Sequence, residues 1–78
     1  MGIIGKRAAE AIRQMANHNE TSYEFELDCL KVSRETLYQW EHGKSDPRAS
    51  ALANMALAGY DTHYILTGES NDNRDAGG

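Results

Sequence analysis

Seventy-eight residues make one small domain, and a chain of this size buries only about 60% of its unfolded surface, which favours a binding module over an enzyme. Hydrophobic residues at 40% and charged residues at 26% are ordinary for a soluble globular chain. A net charge of −4 counts against a nucleic-acid partner, because neutralising phosphates supplies much of such a protein's affinity.

The charge is unevenly spread. The tail carries −2 of it (Glu69, Asp72 and Asp75 against Arg74), and acid clusters again at Glu20, Glu24, Glu26 and Asp28. The stretch from Lys31 to Arg48 is +1, with Lys31, Arg34, Lys44 and Arg48 against Glu35, Glu41 and Asp46.

At the start of the chain, Ile3 and Ile4 are followed at once by Lys6 and Arg7, a run too short for a signal peptide or a membrane span. The single cysteine, Cys29, can form no internal disulfide, which suits a cytoplasmic protein. Ile4, Ala8, Ala11, Ile12 and Met15 recur at helical spacing, with Lys6, Arg7, Glu10, Arg13 and Gln14 opposite them. This predicts a helix over 4–16. Asn17, His18 and Asn19 are expected to break it by competing for backbone hydrogen bonds.

Two patterns overlap in the next segment. Tyr23, Phe25, Leu27 and Cys29 alternate with Glu24, Glu26 and Asp28, as in a strand. Thr21 followed three residues later by Glu24 is instead a capping box, opening a helix in which Tyr23, Leu27 and Leu30 share one face. A helix is expected, because the segment after it requires one.

Val32 and Ser33 form a short connection. Ser33 is a good N-cap for a helix over 34–42, and Gly43 closes it. Leu37 with Trp40 or Glu41 lies on its inner side, leaving Arg34, Glu35, Tyr38, Gln39 and His42 largely free. Residues 44–48 are a loop whose Asp46-Pro47 step can open the next helix, with proline in its first turn. That helix runs through Ala49, Leu52, Ala53, Ala56 and Leu57 and is closed by Gly59. Asp61 caps a last short helix with Tyr64, Ile65 and Leu66, ended by Gly68. The domain is thus expected over 1–68, with 69–78 as a disordered polar tail.

Two short helices joined by a tight turn are the layout of a helix-turn-helix, whose second helix enters the major groove with its N-terminal residues towards the base edges. Arg34, Glu35, Thr36 and Gln39 have suitable chemistry. Arginine bonds guanine bidentately, glutamine does so with adenine, glutamate accepts from cytosine, and a threonine methyl touches thymine. Any surface helix exposes similar residues, so composition alone does not establish DNA reading.

Other chemistries fit poorly. Gly43-Lys44-Ser45 has Tyr38 where a phosphate-binding loop needs its first glycine. His18, His42 and His63 are too widely separated in sequence to suggest a metal site. Cys29 reads as a buried structural thiol and Trp40 as a core anchor. No catalytic residue, metal or cofactor is expected.

The segment VSRETLYQWEHGKSDP resembles the Cro and lambda-repressor-like helix-turn-helix family, the XRE type. The likeness continues through LANMALAGYDTHYILTGE and covers roughly residues 4–69. It implies an all-α, five-helix DNA-binding domain in which Arg34, Glu35, Thr36 and Gln39 face bases, assisted by Tyr38. Ser22 and Tyr23 would then lie near phosphates, and His42, Lys44, Ser45 and Arg48 along the opposite backbone. It also implies that Glu41 pairs with an arginine of the first helix, here Arg13. The chain departs from the family pattern at Glu26-Leu27, where Leu-Ala is usual, at Lys31, where glycine is usual, and in a longer link between the first two helices.

The implied function is a sequence-specific transcriptional regulator, a Cro-like phage or prophage repressor acting in the cytoplasm. With no room for a second domain, it would dimerise through Tyr60, Tyr64, Ile65 and Leu66. A dimer would bind a pseudo-palindromic double-stranded operator with half-sites roughly 34–36 Å apart. The alternative is a helix-turn-helix scaffold that binds protein, an antirepressor or small phage inhibitor, through the acidic residues Glu24, Glu26 and Asp28.

Overall fold

The first helix begins at a left-handed Gly2 and is capped from across the molecule. The backbone N–H of Gly5 donates to Asp46 Oδ1 at 3.0 Å, so an acid 41 residues away sits at the positive end of the helix. The computed structural model describes residues 2–69, and every regular element within them is helical. These are α1 (Ile3–Asn19), α2 (Tyr23–Leu30), α3 (Arg34–Glu41), α4 (Ala49–Leu57) and α5 (Thr62–Thr67). The tail expected from residue 69 onward lies outside the described residues, apart from Glu69.

α1 is the hub, packing against α2, α3 and α5, while α4 touches α2 and α5. Small residues on its inner face, Gly5, Ala8, Ala9 and Ala16, let its neighbours approach closely. Ile12, Leu30, Met55 and Ile65 are the largest side chains fully enclosed, and Trp40 joins them at the junction with α3.

α1 runs three residues beyond its apolar pattern. Asn17, His18 and Asn19 stay helical with their side chains exposed, and the stop comes from Glu20, held in the left-handed region at φ 59°. The N–H of Thr21 then bonds the Ala16 carbonyl at 2.8 Å. The same six-residue closure ends α2 at Lys31 (Val32 to Leu27, 2.9 Å), α3 at Gly43 (Lys44 to Gln39, 2.8 Å) and α4 at Gly59 (Tyr60 to Met55, 2.9 Å). Four turns share one backbone design, and two of them use a residue with a Cβ.

Lys31 (φ 61°) stands where the family resemblance leads one to expect glycine. A left-handed L-residue costs about 1–2 kcal/mol, partly offset by the extra freedom glycine has when unfolded. Lys31→Gly is therefore expected to stabilise the chain by about 0.5–1 kcal/mol, raising the melting midpoint by several degrees. A lower midpoint would contradict this explanation of the turn.

The strand alternative for 23–29 is excluded, because the segment is helical. Its cap is Ser22, one residue later than expected, whose Oγ accepts from the Phe25 N–H at 3.1 Å. Thr21 instead donates its hydroxyl to Glu26 Oε2 at 2.7 Å. Ser33 and Asp61 cap α3 and α5 as expected, accepting from Thr36 and Tyr64 at 3.0 Å each. Pro47 lies ahead of α4 rather than in its first turn, because Asp46 faces α1 and Arg48 takes the N-cap position. Cys29 is exposed, contrary to its reading as a buried thiol, because α2 turns Glu26, Leu27 and Leu30 inward instead.

Two of the four residues assigned to a dimer interface are corrected here. Ile65 is fully enclosed in the protomer's own core, at 0% exposure, and Tyr60 nearly so at 6%, so neither offers more than a sliver of surface to a second copy. Leu66 is exposed and Tyr64 half-buried. Among the described residues no helix is long and apolar enough to cross a membrane.

Candidate nucleic-acid interface

α3 has a sharply divided surface. Leu37 and Trp40 are buried against α1, while Arg34, Glu35 and Tyr38 are exposed and Thr36 and Gln39 are half-buried beside them. All five residues assigned to base reading thus lie on one short helix. Its start is fixed by Ser33, whose hydroxyl accepts from the Thr36 N–H and donates to Thr36 Oγ1 at 2.9 Å. The Thr36 side chain is thereby oriented by the cap itself.

At the other end of α3, Tyr38 and His42 form a ring pair with centroids 4.0 Å apart, and His42 Nδ1 lies 2.9 Å from the Tyr38 carbonyl oxygen. Lys44 Nζ stands 5.6 Å from the Tyr38 ring centre, within range of a cation–π attraction. An exposed aromatic ring therefore carries a cation beside it.

Beyond the flank of α3 lies a polar cleft of about 360 Å³. Lys31 from the α2–α3 link, Thr36 and Gln39 from α3, Ser45 and Arg48 from the loop, and Ser50 from α4 all line it. Asp46 also reaches it, although one of its oxygens is occupied by the Gly5 N–H. The ion pairs among the described residues are Arg13–Glu41 and Arg34–Glu24, so within those residues Lys31, Lys44 and Arg48 stand outside an ion pair, and all three border α3.

Ser22 and Tyr23 stand at the opening of α2. Ser22 is exposed, with its oxygen engaged as the helix cap. Tyr23 is half-buried, its ring 5.0 Å below the Arg13 guanidinium. Arg13 also bonds Glu41, forming the α1–α3 pair that the family resemblance implies. The hydrogen bond to Glu41 raises the Arg13 pKa, more than its slight burial lowers it. This one guanidinium ties α1 to α2 and α3, and so supports the helix that carries the candidate readers.

Sequence reading missed Glu26. It is a buried acid whose oxygens accept from Thr21 and, at 3.2 Å, from the Tyr60 hydroxyl. The alternating pattern around it resembles a half-exposed strand, and the partner that explains its burial is 34 residues away. Glu24 was missed as a neighbour of Arg34 for a similar reason, since the two meet only once α2 and α3 are packed.

No three His, Cys, Asp or Glu side chains gather among the described residues as a metal site would need. No family model, curated protein or solved structure matches the chain.

Proposed function

We propose that this chain is a sequence-specific DNA-binding regulator of transcription, a Cro-like repressor of the phage or prophage kind, in which α2 and α3 act as a helix-turn-helix. The observation that carries the reading is the gathering of three cations, Lys31, Lys44 and Arg48, none of them in an ion pair among the described residues, around the outward side of a capped helix bearing Arg34, Glu35, Thr36, Tyr38 and Gln39. In an acidic chain, cations gathered beside one helix are the feature a phosphate backbone would engage.

On this reading α3 presents its outward side to base edges in the major groove, and Arg34 from its first turn and Gln39 from its second supply the bidentate contacts. Lys44, Ser45 and Arg48 hold one strand's backbone, with His42 and Tyr38 beside them. Ser22 and Tyr23 approach the other strand. Self-association on a pseudo-palindromic operator rests on the surface that Leu66 and Tyr64 retain, to which Leu57, 87% exposed at the end of α4, adds apolar area.

The alternative reading, a scaffold for a basic protein partner, is favoured by exposed Phe25 between Glu24 and the buried Glu26, with Asp28 also exposed on α2. Salt dependence separates the two. For a DNA binder, log K for a duplex falls linearly with log salt, and Lys44→Ala and Arg48→Ala each flatten the slope by about 0.9. A slope near zero, or one indifferent to both substitutions, would favour the protein-binding reading.

A further inference from the structure

Arg34 opens α3, and its Nη1 lies 2.9 Å from Glu24 Oε2 on α2. Both side chains are well exposed, at 73% and 57%. The pair stands over a shallow cleft that Leu27 and Val32 also line, between the two helices assigned above to DNA. Asp28 and Glu35 are acidic neighbours in sequence, yet among the described residues only Glu24 is paired with Arg34.

An exposed ion pair of this kind contributes little to folding. On a DNA-facing surface it also has an evident drawback, because an acid close to phosphates repels them. We propose that Glu24 is a specificity-determining residue that aims the Arg34 guanidinium at a base edge and withholds it from phosphate. The inference rests on the DNA-binding reading.

The guanidinium has five N–H donors in a rigid plane. A bidentate bond to guanine O6 and N7 uses two of them, leaving donors on another edge for Glu24. Both interactions therefore coexist on the correct sequence. On an unrelated duplex the position facing Arg34 is not fixed as guanine, so the bidentate bond is generally lost. To reach a phosphate it must leave Glu24, whose freed carboxylate then stands unpaired near the backbone. Glu24 thus weakens non-specific binding more than specific binding, discriminating by repulsion against the wrong partner.

The test compares the wild-type chain, Glu24→Gln and Asp28→Asn on two duplexes, the operator enriched from random sequence and a scrambled version, across about 50–200 mM salt. Glu24→Gln is expected to bind the scrambled duplex roughly 3–10-fold tighter, with a salt slope steeper by about 0.9. The operator gains less, and the preference for guanine at one position relaxes. Asp28→Asn removes the same charge from α2 without touching Arg34, and tightens both duplexes equally. Because the pair is exposed, the unfolding midpoint of Glu24→Gln stays at the wild-type value.

Equal tightening of both duplexes by Glu24→Gln, with base preference intact, would reduce Glu24 to a general negative charge and overturn the proposal. No change on either duplex would overturn it as well. If the wild-type chain enriches no sequence at all, the DNA-binding reading falls and takes this inference with it. If a sequence is enriched and Glu24→Gln preserves the ratio of the two affinities, this inference alone falls.

Discussion

Gly5→Ala is expected to lower the unfolding free energy by about 2 kcal/mol, although alanine is the better helix former by about 1 kcal/mol. A Cβ built at Gly5 falls well inside contact distance of the Ser45 carbonyl oxygen and comes within 3.1 Å of Trp40 Cα and 3.2 Å of the Trp40 carbonyl oxygen. All three are backbone atoms, so no side-chain rotation relieves the overlap. Either α1 or the loop after α3 must move. Overpacking against a rigid neighbour costs about 1–3 kcal/mol and occasionally more, which outweighs the gain in helix propensity.

The loss is large for a chain of this size, whose total stability is on the order of 4–12 kcal/mol at roughly 0.05–0.15 kcal/mol per residue. It also bears on the candidate interface. The atoms displaced belong to the segment that positions Lys44 and Ser45, and the Gly5 N–H is the partner of Asp46. Urea denaturation measures the effect directly, as a lower midpoint with an unchanged slope. A midpoint equal to or above wild type would show that α1 and the loop have room to spare, contrary to the packing described.

Tyr60→Phe is the second substitution with a large effect, a loss of about 1–3 kcal/mol. Glu26 is buried, and one of its carboxylate oxygens accepts from the Tyr60 hydroxyl. Removing that donor leaves a buried oxygen with no partner, and the cost of such a group exceeds the net worth of the bond. Replacing both partners together, Tyr60→Phe with Glu26→Leu, is expected to cost less than Tyr60→Phe alone, because no polar oxygen is then left stranded at that position. If the double variant were instead less stable by the sum of the single losses, the two residues would be independent.

The same contact has a signature in alkali. Burial first, then the charge of Glu26 and its hydrogen bond, push the Tyr60 pKa well above the ordinary tyrosine value of about 10. Below that value the phenol is protonated in both the folded and the unfolded chain, and its contribution is fully present. As pH rises further, the unfolded chain loses the proton first, so stability falls through the alkaline range. Tyr60→Phe should remove this part of the decline, giving a shallower dependence of the unfolding midpoint above pH 10. A variant with the wild-type alkaline dependence would contradict the assignment.

Much of the fold could be read from the residues, because its signals are local. Ser33 and Asp61 mark helix starts by side-chain chemistry that acts within three residues, and both cap as expected. Leu37 and Trp40 recur at helical spacing and are both buried. The boundaries that moved depend on backbone geometry instead. α1 ends at Glu20 because that residue accepts a left-handed conformation, which nothing in glutamate announces. Thr21 and Ser22 are adjacent hydroxyls with equal claims to the cap, and the choice between them depends on the burial of Glu26.

The candidate interface was legible to the same degree. The outward residues of α3 follow from helical period, whereas the Arg34–Glu24 pair and the gathering of Lys31 and Arg48 at one cleft emerge only when separate elements meet. The apolar run at Tyr64–Leu66 gave no means of telling core from surface. Ile65 fills the first and Leu66 faces the second.

Selection of the wild-type chain against a pool of random duplexes near 0.1 M salt is the most direct test of DNA reading, since specific complexes typically survive such conditions while non-specific ones weaken. Enrichment of one short motif is expected, repeated in inverted orientation about one helical turn apart, with Arg34→Ala and Gln39→Ala each relaxing a different base position by about 1–3 kcal/mol. A pool that emerges without any enriched motif would contradict the assignment of α3 as a base-reading helix.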